Sequence, residues 1–310
     1  MKYIVTGGAG FIGSHLVEEL AKQNHEVVIL DNLSYGKLEN IAQFLNKGSI
    51  SFVNGSISDL DMLKRIFETA DGIYHEAAIA SVPFSVSNPL ETHEANLSGT
   101  LNVLCAARDC GVKKVVFAST AAVYGDKPEL PKDEAMVPDT LSPYAVSKLS
   151  SEYYCSVFTQ LYGIETTSLR YFNVFGPRQD PHSPYSGVMT KFISAVLRNE
   201  PITIFGDGAQ TRDFVYVRDV VQANIRAMES HKSGIFNIGS GHRISVLTLA
   251  EIIMDIIGTT VPIKFAPPAN GDVRDSFADI TKAKQLLRYA PHFDLRSGLE
   301  ETVAWFRQKT

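Results

Sequence analysis

Along this chain, short unbroken apolar runs alternate with stretches in which apolar residues recur every three or four positions. Lys2 to Thr6 is a β-branched run; glycines follow it, and from Ser14 to Asn24 the residues Leu16, Val17 and Leu20 keep helical spacing. Strand, tight turn and helix are predicted. Glu26 to Asp31 is a second continuous apolar run closed by a carboxylate, as in a strand buried on both faces of a parallel sheet. Further runs at Ile50 to Val53, Gly72 to His75 and Val115 to Ala118 alternate with helical segments near 59–70 and 89–110. The fold class that follows is α/β, a doubly wound parallel sheet.

From about residue 173 the character changes. Gly176-Pro177, Asp180-Pro181, Ser183-Pro184 and Ser186-Gly187 crowd turn formers ahead of a helix near 188–199. Strand-like FVYV and GIFNIG segments within 213–241 then flank another helix, so a smaller C-terminal lobe is interleaved with the first sheet. Residues 1–172 with 213–241 are expected to form the first domain, and 173–212 with 242–310 the lobe. Trp305 and Phe306 are expected to dock the last helix.

Composition narrows the function classes. Of 310 residues, 45% are hydrophobic and 20% charged, enough for a sizeable core without disulfide or metal. The net charge of −5, with no basic run, gives no general attraction to nucleic acid or to an anionic membrane. Cys105, Cys110 and Cys155 are odd in number and lack C-x-x-C spacing, which fits a reducing cytoplasm. The N-terminus reaches glycines after a few residues and does not read as a secretory leader, and no apolar stretch approaches membrane-spanning length. His75 and His93 each precede a glutamate but have no second histidine at ligand spacing, so no metal site is expected.

Gly7, Gly8, Gly10 and Gly13 lie between the first strand and helix, where glycines permit a tight turn and let backbone amides approach a pyrophosphate at a helix N-terminus. Asp31 ends the second strand 18 residues after Gly13, close to the separation expected of a carboxylate that accepts from an adenosine ribose. A Rossmann-type dinucleotide site is the reading. A carboxylate there repels the 2′-phosphate of NADP, and Asn32 and Leu33 supply no arginine, so NAD is the expected cofactor.

Tyr144 and Lys148, four apart behind Ser142-Pro143, fall on one face of a predicted helix at 144–162. Ser119-Thr120 follow an apolar run and sit where a parallel strand ends, the edge at which such sheets bind ligands. For a phenol to act as a base near pH 7 its pKa must fall by roughly three units, about 4 kcal/mol. One cation at about 5 Å supplies roughly 3 kcal/mol at an effective dielectric of ~20, so a second positive charge is needed. Tyr144 is the expected acid/base, Lys148 its electrostatic partner and a ribose ligand, and Thr120 the hydroxyl that orients a sugar.

Taken together, these features resemble the extended short-chain dehydrogenase/reductases, and among them the UDP-glucose (UDP-galactose) 4-epimerases. The similar segments are TGGAGFIGSHL, LDNLSYG, HEAAIASVPFSVSNP, NLSGTLNVL, FASTAAVYG, SPYAVSKLSSE, RYFNVFGPRQ, IFGDGAQTRDFVYVRD, FNIGSG and GDVRDSFADITKA. The resemblance implies a tightly held NAD that takes hydride from C4 of a nucleotide-linked hexose while Tyr144 removes the 4-hydroxyl proton. It assigns cofactor contacts to Gly7, Gly10, Phe11, Ile12, Gly13, Asp31, Asn32, Ser34, Gly36, Ser56, Ile57, Ala77, Ala78, Ala80, Asn96, Ser119, Tyr144, Lys148 and Tyr171. It assigns substrate contacts to Ser81, Val82, Thr120, Asn173, Val188, Phe205, Gln210, Arg212, Arg274 and Ser276. It also implies a homodimer built on helices near 96–110 and 144–162.

Within the resemblance, 4,6-dehydratases place an Asp-Glu pair after the strand-end threonine and decarboxylases a glutamate, where this chain has Ala121 and Ala122. Epimerisation is therefore expected, with a reductase or dehydrogenase of the same fold, or a non-catalytic NAD-binding regulator, as the alternatives. Three departures stand out. Ser56 replaces the usual aspartate near the adenine, and Ala269 replaces an arginine ahead of Gly271-Asp272, leaving Arg274 as a substitute phosphate ligand. Ser276 stands where strict glucose/galactose epimerases carry a tyrosine, which suggests room for N-acetylhexosamines.

Overall fold

The computed structural model describes residues 1–45, 49–180, 187–268 and 273–309. Its centre is a seven-stranded parallel sheet made of β1 (Lys2–Thr6), β2 (Glu26–Asp31), β3 (Ile50–Asn54), β4 (Gly72–His75), β5 (Lys114–Thr120), β6 (Glu165–Tyr171) and β11 (Gly234–Ile238). The spatial order is β11-β6-β5-β4-β1-β2-β3. Three of these strands, β1, β2 and β4, span the residues the apolar runs predict. β6 does not follow from hydrophobicity, because ETTSLRY is mostly polar, yet six of its seven residues are buried.

Alternation along the strands splits the core between the two faces of the sheet. Val5, Ile29, Tyr74, Val116 and Leu169 pack against α1 (Phe11–Lys22) and α8 (Val217–Glu229). Ile4, Val28, Ile73, Val115 and Phe117 pack against α2 (Leu60–Phe67), α5 (Gly99–Asp109) and α6 (Pro143–Tyr162). The first helix starts at Phe11, inside the glycine motif rather than at Ser14. The segment expected as one helix over 89–110 is three pieces. After the short α3 (Val82–Ser87) comes α4 (Pro89–His93), then a π turn over Glu94–Ser98, then α5. α6 has a sharp start and stop: Ser142 accepts from the Ala145 amide at 3.2 Å, Pro143 occupies the first turn, and Gly163 ends the helix at φ +70°.

The remaining elements gather a second hydrophobic cluster. β7 (Asn173–Phe175) pairs with β10 (Phe214–Tyr216), β8 (Ile202–Phe205) with β13 (Ile263–Ala266), and β9 (Thr211–Arg212) with β12 (Ile244–Ser245). Around them lie α7 (Val188–Leu197), α9 (Val246–Ile257) and α11 (Leu295–Arg307), while α10 (Thr281–Leu287) packs on β11. Phe306 is buried in this cluster and Trp305 lies partly buried against it. The FVYV strand thus pairs outside the central sheet, whereas GIFNI joins it. Pro181, Ser183-Pro184 and Ser186, and Ala269 with Gly271-Asp272, lie outside the described residues.

Between β6 and α6 sits a buried ion pair. Arg170 Nε and Nη2 donate to the two oxygens of Glu152 at 2.9 and 2.7 Å, Ser119 Oγ donates to Glu152 Oε1 at 2.5 Å, and the guanidinium lies 4.8 Å from the Tyr124 ring centre. Such a pair adds little net stability, but removing one partner leaves an uncompensated internal charge. Arg170→Met is expected to cost about 3–5 kcal/mol in urea denaturation, and adding Glu152→Leu should recover most of the loss.

Candidate active site

The carboxyl edge of the sheet assembles the site. Gly7, at φ +69°, lies so close to the loop after β4 that a Cβ would fall 2.7 Å from the Ala77 amide nitrogen, and one on Gly13 would fall 2.2 Å from the Gly7 carbonyl oxygen. These two positions need glycine. Phe11 and Ile12 form the first turn of α1, and Gly10 precedes them without a side-chain cap, leaving backbone amides at the helix start. At the end of β2, Asp31 accepts from the amides of Ala9 at 3.0 Å and Leu33 at 2.8 Å. Burial pushes its carboxyl up while the two amides pull it down. A Cβ on Gly36 would lie 2.7 Å from both Asp31 oxygens, so glycine keeps that carboxylate approachable. Asn32 Oδ1 accepts from the Ser34 amide. This cradle fits a dinucleotide.

Ser56 and Ile57 follow β3: Ser56 Oγ accepts from Ser58 Oγ at 2.9 Å, and Ile57 is buried against Gly99. The Ala77, Ala78 and Ala80 loop is held by Asn96, whose Oδ1 accepts from the Ile79 amide at 2.8 Å and whose Nδ2 donates to Ile79 O at 3.1 Å and Ser147 Oγ at 3.2 Å. Both amide hydrogens of Asn96 are thus used within the protein. It lies in the π turn, which sets it facing both the loop and α6.

The sequence-predicted trio does come together. Tyr144 and Lys148 share the inner face of α6, and Thr120, at the end of β5, hydrogen-bonds to Tyr144 while accepting from the Ala122 amide at 3.2 Å. Lys148 Nζ donates to Ala118 O at 2.8 Å and lies 4.9 Å from the Phe117 ring centre. Burial pushes the Tyr144 phenol up to about 12, with the Thr120 hydrogen bond lowering it and Glu76 raising it. Burial also pushes Lys148 down to about 8, with Glu76, Cys155 and Glu152 holding it up. The expected acidified phenol is therefore not the state of the protein alone, because burial of the neutral phenol outweighs the hydrogen bond to its anion. Ser119 gives its hydroxyl to Glu152, and Tyr171 gives its hydroxyl to Glu76 at 2.8 Å.

On the other side, Ser81 caps α3 by accepting from the Phe84 amide at 3.1 Å, and Val82 beside it is exposed. Asn173 lies in β7 and Val188 opens α7, both half-buried. Phe205 is exposed at the end of β8, and its carbonyl accepts from Gln210 Nε2 at 2.6 Å. Arg212 Nη1 donates to Thr211 O at 2.9 Å and Arg274 O at 3.1 Å. Arg274 pairs in two-pronged fashion with Asp207 at 2.9 and 3.1 Å, and Ser276 donates its amide to Thr211 O. Two guanidinium-bearing residues are thereby neighbours.

Sequence reasoning missed Glu76, Glu152, Arg170 and Asn224. Glu152 lies four residues after Lys148, so helical spacing alone puts it on the inner face. Glu76 directly follows the apolar run of β4, the same strand-end position that singles out Asp31.

The profile of the NAD dependent epimerase/dehydratase family matches residues 3–239, and the chain belongs to this family, whose cofactor is NAD. It is 43% identical over 306 residues to a putative UDP-glucose 4-epimerase of Methanocaldococcus jannaschii, covering 98% of each chain. It is 37% identical to a UDP-N-acetyl-alpha-D-glucosaminuronate decarboxylase of Bacillus cytotoxicus, over 98% of this chain and 97% of that one. Among solved structures, the UDP-N-acetylglucosamine 4-epimerase of Methanobrevibacter ruminantium, in complex with UDP-N-acetylmuramic acid, superposes with a TM-score of 0.96 at 41% identity, covering 100% of this chain and 99% of that one. Among the described residues no helix is long and apolar enough to cross a membrane.

A lysine lowered from 10.5 to about 8 opposes folding while it is protonated in the native state, and that cost fades as pH rises through this window. Lys148→Met is accordingly expected to stabilise the cofactor-free chain by about 1–2 kcal/mol at pH 7 in urea denaturation. The gain should vanish above pH 10.5.

Proposed function

We propose that the protein is a nucleotide-sugar 4-epimerase acting on UDP-hexoses, with UDP-glucose/UDP-galactose and their N-acetylated counterparts as the substrate class. The observation that carries this reading is the convergence of Tyr144, Thr120 and Lys148 at the sheet edge beside a glycine cradle that only small backbone can form. NAD supplies a reversible hydride acceptor at the sugar carbon. Tyr144 removes the 4-hydroxyl proton as hydride leaves C4, and returns it as hydride comes back to the opposite face of the turned 4-keto sugar, so C4 is inverted with no net oxidation. Thr120 donates to the phenolate, favouring the charged form that burial disfavours. Lys148, anchored on Ala118, brings the ammonium to the same edge and bonds the cofactor ribose.

Residues 1–172 with 213–241 hold the cofactor in this reading, and 173–212 with 242–310 hold the nucleotide sugar. Arg212 and Arg274 grip the diphosphate, a role suited to guanidinium forks. Asp207, paired with Arg274, is the group the phosphate displaces. Phe205, Gln210 and Asn173 enclose the nucleotide, and small Ser276 leaves space at C2 of the hexose. Ala121 and Ala122 provide no acid or base beside Thr120, which favours epimerisation over dehydration or decarboxylation. Val146, Tyr153, Val157 and Leu161 form an exposed apolar stripe on α6, which we read as part of a homodimer contact.

Incubation with UDP-Glc, UDP-Gal, UDP-GlcNAc and dTDP-Glc, without added cofactor, should interconvert 4-epimers of at least one UDP-sugar. Turnover only with added NAD(H), yielding a net oxidised or reduced sugar, would instead indicate a dehydrogenase. Tyr144→Phe should retain the fold and lose roughly 10²–10⁴-fold in kcat. Arg274→Ala should raise KM for the nucleotide sugar by at least roughly tenfold with little change in kcat.

A further inference from the structure

Glu76 is an ionisable group at the sheet edge that the reading above does not use. The β4–β5 register pairs His75 with Phe117 and so sets Glu76 next to Ala118, the residue whose carbonyl holds Lys148 Nζ. Its own amide donates to Thr6 O at 3.1 Å, continuing the β1 ladder, and its side chain lies on the α8 face with Tyr171 and Asn224.

The hydrogen bonds around it have one consistent direction. Asn224 Nδ2 donates to the Val220 carbonyl at 2.9 Å, which fixes that atom as nitrogen, and its other hydrogen goes to Tyr171 Oη at 2.7 Å. With its oxygen accepting from Asn224, Tyr171 points its own hydrogen at Glu76 Oε1, 2.8 Å away. Glu76 is thereby presented with a donor, the arrangement that favours a carboxylate over a carboxylic acid.

The other titratable groups near Lys148 are already committed. Glu152 is neutralised by Arg170 and bonded by Ser119. His75 is locked between Thr6 Oγ1 and Thr100 Oγ1, and burial pushes it down to about 3, so it is neutral. Cys155 is pushed up to about 12 and is a neutral thiol, and Tyr144 is a neutral phenol.

We propose that Glu76 is a positioning residue of this site: its carboxylate, held by the Asn224–Tyr171 chain, is the internal countercharge that keeps the Lys148 ammonium protonated. This use of Lys148 rests on the epimerase reading; the coupling between the two groups does not. Burial pushes Glu76 up to about 7, while Tyr171 and Lys148 pull it down, and Glu76 is the first of the influences that hold Lys148 up near 8. Each group thus holds the other toward its charged form against the pull of burial.

Glu76→Gln keeps an acceptor for Tyr171 and removes only the charge. In the full-length chain labelled with ¹³C-lysine, the Lys148 Cε resonance, identified by its loss in Lys148→Arg, should titrate about one pH unit lower in Glu76→Gln, a tenfold weaker hold on the proton. The alkaline limb of the pH–rate profile should move by the same amount. An unchanged Lys148 midpoint in the folded variant would overturn the proposal, whatever the substrate proves to be. Linkage provides a reciprocal check should Glu76→Gln not fold: Lys148→Met must raise the Glu76 midpoint, followed by its ¹³Cδ resonance, by a similar amount. A Glu76 midpoint indifferent to Lys148→Met would equally refute it.

Discussion

The bond from the Lys148 ammonium to the Ala118 carbonyl is the constraint from which the rest of the site takes its shape. It ties α6 to the carboxyl edge of β5, two residues before Thr120, and so fixes how far Tyr144 stands from the strand end. An ammonium is costly to bury, and the chain surrounds it with what offsets that cost: a carbonyl, an aromatic face and a carboxylate across the edge. The glycine cradle and Asn96 then set the neighbouring loop against the same edge, since Asn96 joins Ile79 to Ser147 one residue from Lys148.

Much of this was legible in the sequence because it rests on local rules. β-branched runs mark strands buried on both faces, Ser142-Pro143 marks the start of α6, and residues four apart on a helix share a face. The glycines between β1 and α1 are readable for the same reason, as backbone crowding leaves no room for a side chain.

What escaped was polar and long-range. β6 is not recognisable from hydrophobicity because its Thr, Ser and Arg side chains are buried through partners distant in sequence: Thr167 bonds Lys232 O, Thr166 bonds Cys155 O and Arg170 bonds Glu152. The π turn at Glu94–Ser98 carries no local signature, since its extra residue is selected by what Asn96 must reach. Glu76 has no local partner in sequence: Tyr171, which bonds it, lies 95 positions further on, and Asn224, which bonds Tyr171, lies beyond that. Hydrogen-bond direction, which no residue spacing encodes, is what gives that carboxylate its meaning.

The apolar stripe on α6 belongs to the same rigid rod that carries Tyr144 and Lys148 on its opposite side. A twenty-residue helix has little freedom to turn one face without turning the other. In the proposed homodimer, a partner seated on Val146, Tyr153 and Leu161 would also set the roll of the phenol and the ammonium inside, and the subunit contact would share one mechanical axis with the chemistry.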